Sequence, residues 1–233
     1  MANKSTNGAV EETAGKKSKS VVRETTEAIL IALFLALFIR TFILQAFKIP
    51  SGSMMNTLLI GDHILVSKFA YGIHIPNEIP FTGAKLFPDI VLFQKTPQRG
   101  DIIVFKFPRD ESRDFIKRVI GVPGDVMEIR NQKIFINNQP LQEDYILHED
   151  PDPDSPLEDI RDNLAPTLIP PRRLIMLGDN RENSQDSRFW GFLDIDKVKG
   201  KALIIYWSWD ESMHQMPLFG GGVRFDRIGQ IIR

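Results

Sequence analysis

The stretch VMEIRNQKIFINNQPL, residues 126–141, alternates apolar and polar side chains about Asn131-Gln132 and turns again at Asn137-Asn138. A period of two broken by turn-forming residues is the pattern of a β-hairpin followed by a further short strand. From Ile60 onward the rest of the chain has the same character, with short runs of Ile, Val and Phe separated by Gly, Pro and Asn and no long helical period. Strands are expected at 63–68, 90–93, 101–107, 116–122, 126–130, 133–136, 174–177 and 201–208. Their close spacing predicts a mostly β protein built on an antiparallel sheet or barrel. Residues 150–166 interrupt this with six acidic side chains among four prolines, which predicts a solvated loop whose carboxylates match no calcium-loop spacing.

Upstream of the β region, residues 28–39 (AILIALFLALFI) are apolar without a break, and after Arg40 and Thr41 the apolar character continues to Phe47. As a helix at 1.5 Å per residue, twenty such residues reach roughly 30 Å, enough to cross a bilayer. Arg40 lies about two thirds of the way along and has a stem long enough to snorkel to the headgroups. A cleaved signal peptide and a buried helix are the competing readings, but residues 44–48 offer no pair of small residues for cleavage. Lys16, Lys17, Lys19 and Arg23 precede the run and only Lys48 follows it closely. The expectation is a transmembrane helix over 26–47, a disordered cytoplasmic tail over 1–25 and an extracytoplasmic remainder.

Composition narrows the chemistry. The 233 residues carry 29 basic and 30 acidic side chains, a formal charge of -1, so no global basic field marks a nucleic-acid partner. With no cysteine there is no disulfide, thiolate metal site or cysteine nucleophile. His63, His74, His148 and His214 are scattered, with no HExxH motif and no Gly-x-Ser-x-Gly elbow, which leaves a zinc site or a Ser-His-Asp triad unsupported. The glycines at 220–222 do not open a helix after a strand and read as a flexible turn. The run Ile49-Pro50-Ser51-Gly52-Ser53-Met54 places two serines on a tight turn just past the apolar segment. Without histidine, a serine nucleophile needs an uncharged amine, and lysine with its usual pKa of about 10.4 must be desolvated to supply one. Two lysines sit in apolar strands: Lys106 in IIVFKF, and Lys117 in DFIKRVIG, where it shares a face with Phe115 and Val119 while Arg118 points the other way.

Four blocks, in order, give the chain a close resemblance to the bacterial type I signal peptidases. They are Pro50-Ser51-Gly52-Ser53-Met54, residues 100–105 (GDIIVF), residues 115–125 (FIKRVIGVPGD) and residues 178–188 (GDNRENSQDSR). The resemblance implies a membrane-bound serine endopeptidase of the inner membrane, with a single span, a cytoplasmic N-terminus and a periplasmic catalytic domain. Its implied substrates are the signal peptides of exported preproteins, cut after alanine-like residues one and three positions before the bond. It implies Ser53 as nucleophile, Lys117 as general base, the Ser51 hydroxyl beside the Ser53 N–H in the oxyanion hole, and Ser184 hydrogen-bonded to the lysine. Asp186 and Arg188 become a structural ion pair, and Phe47, Ile49, Pro50, Met54, Leu58, Phe115 and Ile116 the apolar substrate pockets. The implied architecture is a catalytic β domain over 48–125 and 173–233 with a small β subdomain inserted over 126–172, and residues 69–81 dipping into the bilayer. No metal, organic cofactor or nucleic acid is implied. Glu182 replaces the family's usual aspartate, and Asn56 stands where its proline usually does, so that the turn after Ser53 forgoes a rigid φ at a cost of about 1 kcal/mol. The alternative is an inactive membrane-anchored β domain that binds export partners or signal peptides, and a soluble Ser-Lys self-cleaving repressor is opposed by the absence of a helix-turn-helix pattern.

Overall fold

The computed structural model describes residues 21–75, 90–147, 163–211 and 222–233. The expectations for residues 1–20, for the part of 69–81 beyond residue 75, for most of the acidic stretch, and for His148, His214, Gly220 and Gly221 lie outside the described residues. The chain divides into two units, Met1–Phe38 and Ile39–Arg233.

In the first unit, α1 (Val21–Phe38) opens with Glu24 in its first turn and an Arg23–Glu27 pair at 2.9 Å, and from Ala28 onward it is apolar on every side with no side chain buried. It differs from the expected span at both ends. Residues 21–25, placed in the tail, are helical, and a π-helical turn at Ile39–Ile43 leads into a strand at Leu44–Lys48. Among the described residues no helix is long and apolar enough to cross a membrane, because the apolar run is shared between α1, the turn and that strand, and Arg23, Glu24 and Glu27 occupy the start of α1.

The second unit is mostly antiparallel β. An eight-stranded sheet runs in the order β1 (Leu44–Lys48), β2 (Asp62–Ser67), β13 (Val198–Asp210), β5 (Ile102–Phe107), β6 (Asp110–Gly121), β11 (Arg173–Leu177) and β12 (Leu193–Asp194), with β14 (Gly222–Val223) on the far part of β13. The central strand β5 is buried on both faces, which is why its sequence is a continuous apolar run rather than an alternation. The long β13 bends at three register shifts, and at Gly200 it passes so close to β2 that a Cβ would stand 2.2 Å from the Ser67 carbonyl oxygen. Two short strands, β3 (Ile73–Ile75) and β4 (Ile90–Leu92), pair on their own.

A second sheet comes entirely from residues 126–168, in the order β10 (Leu164–Leu168), β7 (Val126–Arg130), β8 (Lys133–Ile136) and β9 (Gln139–Pro140). Asn131 and Gln132 join β7 to β8 with φ of 47° and 67°, the left-handed pair of a two-residue hairpin loop, and Arg130 faces Lys133 across it. Strand β10 was not expected: its first three residues, 164–166, fall in the stretch expected to be loop. Its Pro166 sits on an edge strand where the register shifts between Leu164 and Thr167, a place where the missing N–H breaks no ladder. Met127, Ile129, Ile134 and Ile136 share one buried cluster with Ile120, Ile175 and Leu177 of β6 and β11, so the two sheets have a common core.

Candidate active site

Strand β6 crosses from solvent to core along its length: residues 110–114 are exposed, Phe115 and Ile116 half-buried, and Lys117 to Gly121 buried. Lys117 is thus the first buried position of the strand, 3% exposed. Opposite it, Ser53 rides on a single 3-10 turn, Gly52–Met54, pinned to the core by the fully buried Met54 and Leu58. The Lys117 Nζ is 2.6 Å from Ser53 Oγ and donates to the Ile116 carbonyl at 3.0 Å. Burial pushes the Lys117 amine down to about 8, against the opposing pull of Asp186 and Asp179, with Arg188 adding to the depression. Lys106, the other lysine in an apolar strand, faces Asp114 across the β5–β6 ladder instead.

The loop after β11 closes the site from below. The Asn180 N–H donates to the Ser53 carbonyl at 3.2 Å, and Gly178 packs so tightly that a Cβ there would lie 2.4 Å from that same oxygen and 2.3 Å from Ser184 Oγ. Ser184 is buried, but its hydroxyl faces Gly178 and makes no hydrogen bond among the described residues. The expected Ser184–Lys117 bond is not formed, since the lysine's contacts go to Ser53 and Ile116. Asp186 and Arg188 come together in a buried bidentate pair, both contacts at 2.9 Å, and Arg188 also donates to the Arg181 carbonyl at 2.7 Å.

Arg118, on the opposite face of β6, holds Asp179 bidentately at 2.8 and 2.7 Å, donates to the Gly100 carbonyl at 3.0 Å and lies 3.8 Å from the centre of the Tyr145 ring. Asp179 in turn accepts from Thr57 Oγ1 at 2.5 Å, four residues past Ser53. Further along, at the start of β2, burial works against the Asp62 charge, but hydrogen bonds from Arg227, Ser208 and the Leu59 amide outweigh it and hold its pKa below the usual carboxylate value. The nucleophile's turn is therefore fixed at its carbonyl, at Thr57 and at Asp62. None of these three anchors was evident beforehand, because apart from the Leu59 amide the partners, Asn180, Asp179, Ser208 and Arg227, are remote in sequence.

A groove of about 490 Å³ opens over the pair, lined by Pro50, Ser51, Gly52, Ser53, residues 113–117, Asn183 and Gln185. Ser51 is exposed, in extended conformation just before the 3-10 turn, and its hydroxyl is not used as a cap. Of the seven expected pocket residues, Pro50, Phe115 and Ile116 line the groove. Ile49, Met54 and Leu58 do not: they are 2%, 0% and 0% exposed in the core beneath it, and Phe47 packs against that core from its edge. These four, which the resemblance implied as pocket residues, belong to the core and its edge. Arg113, Asp114, Asn183 and Gln185 were missed, although Arg113 follows from stepping back along β6 by two residues at a time from Lys117 through Phe115.

Residues 22–207 match the family described as signal peptidase, peptidase S26. A signal peptidase I of Pseudomonas fluorescens is 34% identical, over 85% of this chain and 75% of its own length. A probable signal peptidase I of a Synechocystis species is 36% identical, over 78% of this chain and 81% of its own. The crystal structure of a signal peptidase I from Enterococcus faecalis overlaps at 32% identity with a TM-score of 0.38, covering 46% of this chain and 97% of that one. A serine and a lysine in contact at the mouth of a groove are in keeping with the family match over residues 22–207 and the extent of the Pseudomonas relative: the chain belongs to the signal peptidase family, peptidase S26, and is a hydrolase of the serine-peptidase kind.

Proposed function

We propose that this protein cleaves signal peptides from exported preproteins with a Ser53–Lys117 dyad. The observation that carries the reading is the 2.6 Å contact between Lys117 Nζ and Ser53 Oγ in a site dry enough to bring the amine to about 8. In the neutral state Lys117 accepts the Ser53 proton, and Ser53 Oγ attacks the carbonyl carbon of the bond to be cut. The negative charge that gathers on the carbonyl oxygen is met by the Ser53 N–H and the Ser51 hydroxyl, which stands free at the groove. Lys117 passes its proton to the leaving amine, then takes one from a water whose oxygen attacks the acyl-enzyme carbonyl; as the bond to Ser53 Oγ breaks, Lys117 returns that proton to the serine. Half-buried Phe115 and Ile116 beside Pro50 form a shallow wall that rejects bulky side chains by overlap, which supports a preference for small residues one and three positions before the bond.

The Asp186–Arg188 pair keeps the 178–188 loop in place. The part of α1 from Ala28 onward, apolar on every side and with no buried side chain, anchors the enzyme to the membrane, the catalytic part lying on the extracytoplasmic face with residues 126–172 as its accessory β subdomain. The test is incubation of the detergent-solubilised wild type and Ser53→Ala with a preprotein bearing an Ala-x-Ala site, the products mapped by mass spectrometry. Cleavage after the second alanine by wild type alone supports the reading; binding without cleavage by both would replace it with an inactive binding domain.

A further inference from the structure

The groove has a polar wall that a site for small apolar side chains does not explain. Arg113 lies on the same face of β6 as Phe115 and Lys117 and is exposed. Its guanidinium carbon stands 5.2 Å from the centre of the Phe115 ring and 5.7 Å from that of Phe107. Those rings stack on each other at 4.3 Å and 9°, and Trp190 meets Phe107 edge-on at 6.3 Å, so the charge rests on a rigid aromatic platform. Among the described residues Arg113 makes no ion pair. Asp114 is engaged by Lys199, Glu111 by Lys197, and Asp110, whose charge Arg113 helps to stabilise at longer range, accepts instead from Ser112. With no ion pair among the described residues, its N–H donors are available to a carboxylate or amide in the groove.

We infer that Arg113 is a specificity-determining residue that reads charge on the substrate strand, favouring an acidic side chain and disfavouring a basic one. The inference rests on the proposal that Ser53 and Lys117 cut an extended peptide in this groove. Four strand steps of about 3.3 Å separate Arg113 from Lys117, and the Arg113 side chain folds back over Phe115, so the residue it reads stands about two to four positions from the scissile bond. A solvent-exposed pair in this geometry gives a Glu-to-Lys preference of about tenfold in kcat/KM at low ionic strength, and salt reduces it.

The experiment uses the full chain in detergent and a set of preproteins with one small-x-small site, carrying Glu, Gln or Lys in turn at each position from about four before to four after the bond. The wild type, Arg113→Gln and Arg113→Lys are compared by the Glu-to-Lys ratio of kcat/KM, at low and high salt. The expected result is a ratio of about ten at one place in the scan for wild type, reduced in high salt, retained in part by Arg113→Lys and near one in Arg113→Gln. A wild-type ratio near one at every position, or a ratio unchanged by Arg113→Gln, overturns the role of Arg113 while leaving the peptidase reading intact. Failure of the wild type to cut any member, the Gln series included, overturns the peptidase reading and the inference with it.

Discussion

The depressed basicity of Lys117 makes the pH dependence of turnover the sharpest test of the dyad. With a pKa of about 8, roughly one lysine in eleven is neutral at pH 7, whereas at the ordinary value near 10.5 the fraction is about one in three thousand. The gain of about 300-fold in competent base corresponds to about 3 kcal/mol. Log kcat/KM for an Ala-x-Ala preprotein should climb with unit slope below pH 8, bend near 8 and level off by about 9 to 10. A profile flat from pH 6 to 9, or one still climbing with unit slope at pH 10, would refute the argument. Lys117→Arg should lower turnover by about a thousandfold or more, since guanidinium does not release its proton at working pH. The same burial has a signature in stability. Because the folded pKa is below the unfolded one, the unfolded chain binds the extra proton between about pH 8 and 10.5. Stability therefore rises with pH across that window, and below about 8 the full cost of a buried ammonium, about 3 kcal/mol, is present. Lys117→Met should match or exceed the wild type in unfolding free energy at pH 7, with the difference moving in favour of the wild type as pH rises through the window. A wild type markedly more stable than Lys117→Met at pH 7 would mean that the ammonium is compensated, not strained.

Asn56 has φ of 83°, which the proline ring cannot adopt, and its Nδ2 donates to the Tyr145 carbonyl at 3.0 Å. Asn56→Pro should therefore destabilise the protein, by about 2 kcal/mol or more in denaturant unfolding, the reverse of the rigidifying effect expected from sequence; Asn56→Gly should fall within about 1 kcal/mol of wild type, relief of φ offsetting the lost bond. A proline variant as stable as wild type would remove the left-handed turn from the account. Gly178→Ala puts a methyl group 2.4 Å from the Ser53 carbonyl oxygen, and the collision should cost about 1 to 3 kcal/mol of stability and at least about tenfold in kcat. Unchanged kcat and Tm would show that the loop is free to move away from the nucleophile's backbone.

What could be read from the chain depended on how local its cause was. The 126–141 hairpin was legible because alternation and the Asn-Gln turn lie within a few residues of each other, and the pairing of Arg130 with Lys133 has the register they dictate. Lys117 was legible, together with Lys106, as a lysine in an apolar strand, and it was the resemblance carried by residues 115–125 that singled it out. Residues 44–47 were misassigned for the opposite reason: a short, largely apolar run fits a membrane helix or a sheet strand equally well, and only pairing with residues 64–67 of β2, invisible in sequence, decides between them. Leu164–Leu168 was hidden by acidic, proline-rich neighbours, although an edge strand with a bulge tolerates its proline.

The site itself shows why its chemistry was easier to foresee than its walls. Ile49, Met54 and Leu58 have the residue types of an apolar pocket, but a nucleophile on a single 3-10 turn needs anchors on both sides of it, and these three bury themselves to provide them. The wall falls instead to β6, where one alternating face carries Arg113 in solvent, Phe115 at the boundary and Lys117 in the interior. A strand that climbs from water into the core in this way sorts its side chains by dielectric environment: the guanidinium stays charged at the wet end, the amine is pushed toward neutrality at the dry end, and a phenyl ring stands between them, 5.2 Å from one and 5.5 Å from the other. Moving Lys117 two residues toward Arg113 would keep the same face of the strand but carry the amine to the half-buried boundary and away from Ser53, weakening the desolvation that lets a lysine act as a base near neutral pH.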